Sequence, residues 1–304
     1  MYPMKLIPPT KDYIWGGEKL KTEYNISTDA SRLAEAWVLS VHPDGESVIS
    51  DGEFSGRTLT EVLEKNKSFL GTNCSDKLPI MFKLIDAKKD LSIQVHPDDN
   101  YAKEHENDNG KTEAWFILDC DEDAEIIFGF NKNLSKEEFV KAIEEENLEA
   151  YANRVKVKKG DCFLIEAGTL HAICKGIVIG EVQQSSNVTY RVYDYGRTDD
   201  NGNKRELHIE KAIDVTRLEK CEKTSVGKKV SCRYFESEMI EISGEYKNIS
   251  DEKSFVSLVC TDGIGELETE NGTTEIKKGD SIFIPANMGE FKINGNLTVI
   301  ETRV

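Results

Sequence analysis

Two histidines in this chain stand where an imidazole can do chemistry. His96 closes the run Leu91-Ser-Ile-Gln-Val-His96. Strand side chains alternate between faces, so Ser92, Gln94 and His96 project one way while Leu91, Ile93 and Val95 project the other. A polar face of this kind either meets water or lines an interior. His171 follows the small-residue turn Ala167-Gly168-Thr169, and Gly110-Lys-Thr-Glu-Ala-Trp-Phe-Ile-Leu118 places Lys111 and Glu113 on one face of an apolar strand. Two imidazoles, a carboxylate and an amide oxygen projecting into one cavity would suit a zinc ion. A two-histidine, one-carboxylate set would equally suit non-haem iron. The other three histidines read as structural: His42 in a turn, His105 in an almost wholly polar stretch, His208 beside a helix.

The elements that must position these groups are short β-runs broken by Gly, Asn and Asp. Examples are Ala36–Val41, Ile80–Ile85, Leu91–His96, Ala114–Leu118, Ala124–Phe128, Cys162–Ile165, Ile177–Val182, Ser254–Val259 and Ser281–Ile284. Their spacing predicts a mostly β sandwich or barrel. Helical signals are local. Thr58-Leu-Thr-Glu61 forms a capping box that opens a helix to about Asn66 or beyond, and Ser135-Lys-Glu-Glu138 opens another reaching Asn153. A third helix is expected over Glu206 to Val215.

The chain also echoes itself. Lys158-Lys-Gly-Asp-Cys-Phe-Leu-Ile-Glu-Ala-Gly-Thr-Leu-His171 aligns with Lys277-Lys-Gly-Asp-Ser-Ile-Phe-Ile-Pro-Ala-Asn-Met-Gly-Glu290 at an offset of 119 residues, with six of fourteen positions identical. Duplication of a β-barrel explains this, and only the first copy ends in histidine.

Composition narrows the function. With 39 Lys+Arg against 56 Asp+Glu the net charge is −17, which argues against a nucleic-acid or anionic-membrane binder. No run approaches a membrane span, and the start, interrupted by prolines and charges, lacks a cleavable hydrophobic segment. Seven scattered cysteines without a CxxC pair predict reduced thiols in a cytoplasmic protein.

Glu166-Ala-Gly-Thr-Leu-His171, preceded by Gly160-Asp161, resembles the second motif of cupins, and Gln94-Val-His96 with Glu113 resembles a modified first motif. More narrowly, the chain is similar to type I mannose-6-phosphate isomerases in their short Gram-positive form. The segments behind this are Ile14-Trp-Gly-Gly17, Leu33-Ala-Glu-Ala-Trp-Val-Leu-Ser40, Phe82-Lys-Leu-Ile-Asp-Ala87, Leu91–Asp99, Gly110–Trp115, Gly168–His171 and Thr189-Tyr-Arg-Val-Tyr-Asp-Tyr195.

The resemblance implies two cupin (jelly-roll) barrels: a catalytic domain over 1–222, with helical insertions near 58–70 and 135–153, and a degenerate second domain over 223–304 without a metal site. It implies one zinc ion held by Gln94, His96, Glu113 and His171, and interconversion of mannose 6-phosphate and fructose 6-phosphate through a cis-enediol(ate). Arg191 takes the place of the family's active-site arginine, the alternative being a surface ion pair with Asp194. Lys111 is a second cation near the reacting oxygens, and Lys83 and Ser92 are the expected phosphate donors. Glu181, a carboxylate in an apolar strand ten residues before Arg191, is the first choice for the C2 base. The family commonly has Asp four residues before that arginine; here Asn187 stands there, able to orient substrate but unable to abstract a proton. The expected partner is a small sugar phosphate, with no nucleic acid or membrane, and the expected state a monomer or weak homodimer. The competing readings are a sugar-binding cupin without isomerase activity and an iron-dependent dioxygenase using His96, Glu113 and His171.

Overall fold

Runs such as Phe82-Lys-Leu-Ile and Phe116-Ile-Leu bury apolar side chains most economically as pleated strands, and β-structure dominates the result. A computed structural model describes residues 1–198 and 201–304. The chain forms two compact units. One comprises Met1–Asp12, Glu18–Ile85 and Lys228–Val304; the other comprises Tyr13–Gly17 and Asp86–Gly227.

In the first unit the strands run Lys229–Ser231, Glu236–Ser250, Gly289–Arg303, Val256–Thr269, Ser281–Ile284, Met4–Ile7 and Val48–Ile49, each bonded to the next, with Gly272–Lys277 alongside Val256–Thr269. The N-terminal strand enters this sheet antiparallel to the last repeat strand, Met4 opposite Phe283. Val256, Leu258, Ile282, Ile284, Ile293 and Val299 fill its core.

The second unit holds two sheets. One orders Ala152–Lys156, Glu125–Phe130, His171–Ile173, Ile93–Val95 and Tyr190–Tyr193; the other brings Cys162–Ile165, Glu113–Cys120 and Ile177–Gln184 together. The apolar side of Ile93–Val95 belongs to a core with Ile127, Phe130, Phe139, Leu170, Tyr190 and Val192. The polar side of that strand therefore cannot be read as a simple solvent face, because Ser92 and His96 are buried too.

Both capping boxes form. Thr58 and Ser135 accept from the N3 amides, and Glu61 and Glu138 reach back to the cap amides, opening helices Leu59–Lys65 and Lys136–Glu144. The second helix stops well short of Asn153. Glu146 adopts a left-handed φ of 52°, and Ala152–Lys156 is already a strand. Phe139 is the side chain that anchors this helix, and its complete burial contributes roughly 1.5–3 kcal/mol. The third helix is Ile209–Val215. A further helix, Asp99–His105, was hidden by its polar composition; Asp98 caps it through Tyr101 N–H at 2.9 Å.

The internal echo is a matched piece of structure. In both copies the turn glycine is left-handed, Gly160 at φ 92° and Gly279 at φ 94°. In both, the turn Asp accepts from the Lys amide three residues earlier, 3.0 Å for Asp161 and 2.9 Å for Asp280. The strands Cys162–Ile165 and Ser281–Ile284 follow. The second turn is left-handed again, at Gly168 (φ 84°) and Asn287 (φ 59°).

Candidate active site and metal centre

Strand register assembles the site. Ile93–Val95 sets Gln94 opposite His171 on one side and opposite Arg191 on the other. Directly opposed residues share a face, so these three side chains stand in one row. In the neighbouring sheet Glu113 opposes Gln183, and Trp115 opposes Glu181.

These faces converge on a buried cluster. His96 Nε2 lies 3.3 Å from Glu113 Oε2 and His171 Nε2 lies 3.5 Å from Glu113 Oε1. Ligand-type atoms of the three residues all fall within 4.8 Å of one another. His96 is 1% exposed, Glu113 and His171 not at all. Backbone carbonyls fix both imidazoles: His96 Nδ1–H donates to Val188 O at 2.9 Å and His171 Nδ1–H to Thr169 O at 2.8 Å. A carbonyl can only accept, so each Nδ1 carries the proton and each Nε2 turns its lone pair toward Glu113.

The turn that delivers His171 requires glycine. At Gly168, φ is +84°, and a Cβ would meet Arg217 Cγ and Val215 O at 2.9 Å. Its N–H donates to His96 O at 2.8 Å, tying the two histidines together through the backbone.

Polar atoms left bare in this cluster show what it fits. His96 Nε2 and both carboxylate oxygens of Glu113 are buried without a hydrogen-bond partner, each at a cost of about 1–3 kcal/mol. Lys111 Nζ stands 2.8 Å from Glu113 Oε2 as its ion-pair partner. Two preorganised imidazole nitrogens facing a buried carboxylate match a divalent metal.

The electrostatics agree. Burial would push Glu113 up, but Lys111 and the two imidazoles reverse this and hold it well below the usual carboxylate range. Burial, helped by the charge of Lys111, pushes His96 down to about 3 against the opposing pull of Glu113. Burial likewise lowers His171. At neutral pH the cluster is thus two neutral imidazoles and an anion, the protonation states a metal requires.

Gln94 and Lys111 adjoin it, and Glu181 lies beyond Lys111. Gln94 is partly buried, its Nε2 at 3.4 Å from His171 Nε2 and its Oε1 accepting from Ser92 Oγ at 3.3 Å. Turning the amide over would offer its oxygen instead. Glu181 is buried, accepts from Trp115 Nε1 at 2.9 Å, and has Oε1 at 3.9 Å from Lys111 Nζ. Lys111 therefore stands between the two glutamates.

Arg191 does not pair with Asp194, which is taken by Arg197 and by Arg205 (Nε, 2.8 Å). Arg191 instead donates from Nη1 to Glu206 O at 2.8 Å, and its Nε is buried without a partner. Burial, joined by Arg205, pushes its pKa down. His208, expected only to flank a helix, accepts from Arg191 N–H through Nδ1 at 3.2 Å. Asn187 is exposed in the turn after Gln184. Lys83 belongs to the first unit, buried 5.0 Å above the Trp37 ring and 3.9 Å from Glu35.

This geometry coincides with a family. Residues 4–143 match the model of the phosphomannose isomerase type I catalytic domain, and residues 225–304 match that of the mannose-6-phosphate isomerase cupin domain. The chain is 38% identical over 305 residues to the Bacillus subtilis mannose-6-phosphate isomerase ManA, covering 96% of each protein. The chain belongs to the type I phosphomannose isomerases. A mannose-6-phosphate isomerase of Streptococcus mutans is 36% identical over 297 residues, covering 94% of this chain and 93% of that protein. The crystal structure of the Bacillus subtilis mannose 6-phosphate isomerase superposes with a TM-score of 0.94 at 39% identity over the full length of both chains.

Four elements around this cluster were not singled out from sequence: the indole of Trp115, the carbonyls of Val188 and Thr169, and Gln183. The carbonyls leave no trace in side-chain pattern. Gln183 does, since it falls two residues after Glu181 on the same strand face.

Proposed function

We propose that this chain is a mannose-6-phosphate isomerase whose buried His96–Glu113–His171 cluster, completed by Gln94, holds one zinc ion. The observation that carries the reading is the pair of imidazoles locked at Nδ1 with both Nε2 lone pairs aimed at one buried carboxylate, His96 Nε2 and both carboxylate oxygens having no hydrogen-bond partner. When bound, the ion would supply positive charge where oxygen charge develops at C1 and C2. The protein's own groups do the rest. Arg191 and Lys111 place permanent positive charge beside the reacting oxygens. Glu181, held by Trp115 Nε1, takes the proton from C2 and returns it at C1, while a second proton passes from O2 to O1 through a cis-enediol(ate). The likeness to the family assigns phosphate binding to Lys83 and Ser92, and substrate orientation to Asn187.

In this reading 1–222 is the catalytic cupin domain along the sequence, with helical insertions near 58–70 and 135–153, although Met1–Asp12 and Glu18–Ile85 pack in the same compact unit as Lys228–Val304. Residues 223–304, which contain no histidine, form a second cupin barrel without a metal site; the two family matches support that division. No helix among the described residues is long and apolar enough to cross a membrane. We place the enzyme in the cytoplasm, as a monomer or weak homodimer acting on a soluble sugar phosphate, with no nucleic-acid or membrane partner.

Proton transfer through an enediol has a direct signature. In deuterated water, fructose 6-phosphate formed from mannose 6-phosphate will carry solvent deuterium at C1, read by proton NMR after brief conversion. Product still free of deuterium after prolonged incubation with the enzyme, long enough for a carboxyl holding the proton to exchange with solvent, would point to a hydride shift and remove the role given to Glu181.

A further inference from the structure

Gln183 is wholly buried and directly opposes Glu113 in the strand pair. Its amide nitrogen donates to two backbone carbonyls, Gln184 O at 2.9 Å and Ser186 O at 2.6 Å. Both N–H bonds are thereby used on the turn that follows, and the amide cannot turn over without setting its oxygen against two others. Its Oε1 is left buried with no hydrogen-bond partner, a penalty that an apolar side chain of similar size would avoid. The NH2 end is what the position needs.

The turn leads to the metal cluster. Ser186 N–H donates to Gln184 O at 2.8 Å, and Val188 N–H donates to Ser186 Oγ at 3.3 Å. The carbonyl of Val188 then accepts from His96 Nδ1–H at 2.9 Å. A path of hydrogen bonds and turn backbone thus runs from Gln183 through Ser186 and Val188 to a histidine of the cluster.

We propose that Gln183 is a positioning residue of the metal centre: by holding the turn over residues 184–188 it fixes the Val188 carbonyl, and with it the tautomer and ring orientation of His96. This rests on the reading of the cluster as a metal site. Partners one step removed from a metal govern ligand orientation, and their loss characteristically weakens metal binding 10- to 100-fold. Gln184 N–H also donates to Thr112 O at 3.1 Å, and Asn109 Nδ2 to Ser185 O at 3.1 Å. These contacts keep the turn from collapsing, so the expected loss is graded.

The test is zinc affinity by chelator competition, measured on wild type, Gln183→Met and Ser186→Ala. It is paired with nitrogen-15 NMR of the histidines in the metal-free proteins. Expected are tenfold or greater weakening in Gln183→Met, smaller weakening in Ser186→Ala, and a His96 signal that loses its single Nδ1-protonated form. Wild-type affinity and an unchanged tautomer in Gln183→Met would overturn the inference while leaving the metal site intact. Should that variant fail to fold, wild-type zinc affinity in Ser186→Ala overturns it equally. Wild-type protein that takes up no zinc removes both this inference and the metal reading beneath it.

Discussion

Glu113→Gln will leave the protein without metal and without measurable isomerisation, a loss of at least about a thousandfold in kcat/KM, or roughly 4 kcal/mol. The amide matches the carboxylate in shape but removes the only negative charge between two neutral imidazoles, so the cluster no longer attracts a dication. The variant also takes from Lys111 its nearer carboxylate, leaving Glu181 Oε1 at 3.9 Å. That ammonium is 4% exposed and 2.8 Å from Glu113 Oε2, and breaking a buried pair by removing one partner costs about 3–5 kcal/mol of fold stability. Glu113→Gln should therefore melt below wild type even when both are metal-free. The double variant Glu113→Gln with Lys111→Met separates the two effects. It should recover most of the stability and none of the activity. A single variant that keeps wild-type metal content would show that Glu113 is not a ligand.

Glu181→Gln should give the opposite separation. Its Oε2 accepts from Trp115 Nε1 at 2.9 Å, a bond that a glutamine oxygen can keep, so the side chain stays in place and the metal stays bound. The capacity to take a proton is lost, together with the charge 3.9 Å from Lys111, which keeps Glu113 at 2.8 Å. General-base catalysis contributes about 10²- to 10⁴-fold, and the variant should lose that much in kcat with little change in KM. Zinc content measured on the same samples must match wild type. If kcat falls less than about threefold, the proton leaves C2 by another route and Glu181 is structural.

Much of this site was legible because its chemistry lies in side chains that strand periodicity places. Ser92, Gln94 and His96 alternate with Leu91, Ile93 and Val95, and the structure buries all but the partly exposed Gln94, with Ile93 and Val95 in one core with Phe139. The capping boxes at Thr58 and Ser135 were readable because a cap is a local bond between residues three apart. The limits have equally local causes. Helix Asp99–His105 shows no apolar period. The second helix ends early because Glu146 turns left-handed, which no side-chain pattern announces. The long strands Glu236–Ser250 and Gly289–Arg303 alternate too irregularly in burial to be read at full length. The alternative reading of Arg191, an ion pair with Asp194, failed because two arginines further along the chain, Arg197 and Arg205, occupy that carboxylate. Sequence proximity does not reveal such competition.

The central claim is tested most directly by coupling fructose 6-phosphate formation from mannose 6-phosphate to a spectrophotometric readout. The assay would compare the protein as purified, after exhaustive chelation, and after one equivalent of zinc is returned. Turnover that chelation abolishes and zinc restores is the predicted result. Turnover that survives chelation with no metal left on the protein, or no turnover with zinc bound, would contradict the account.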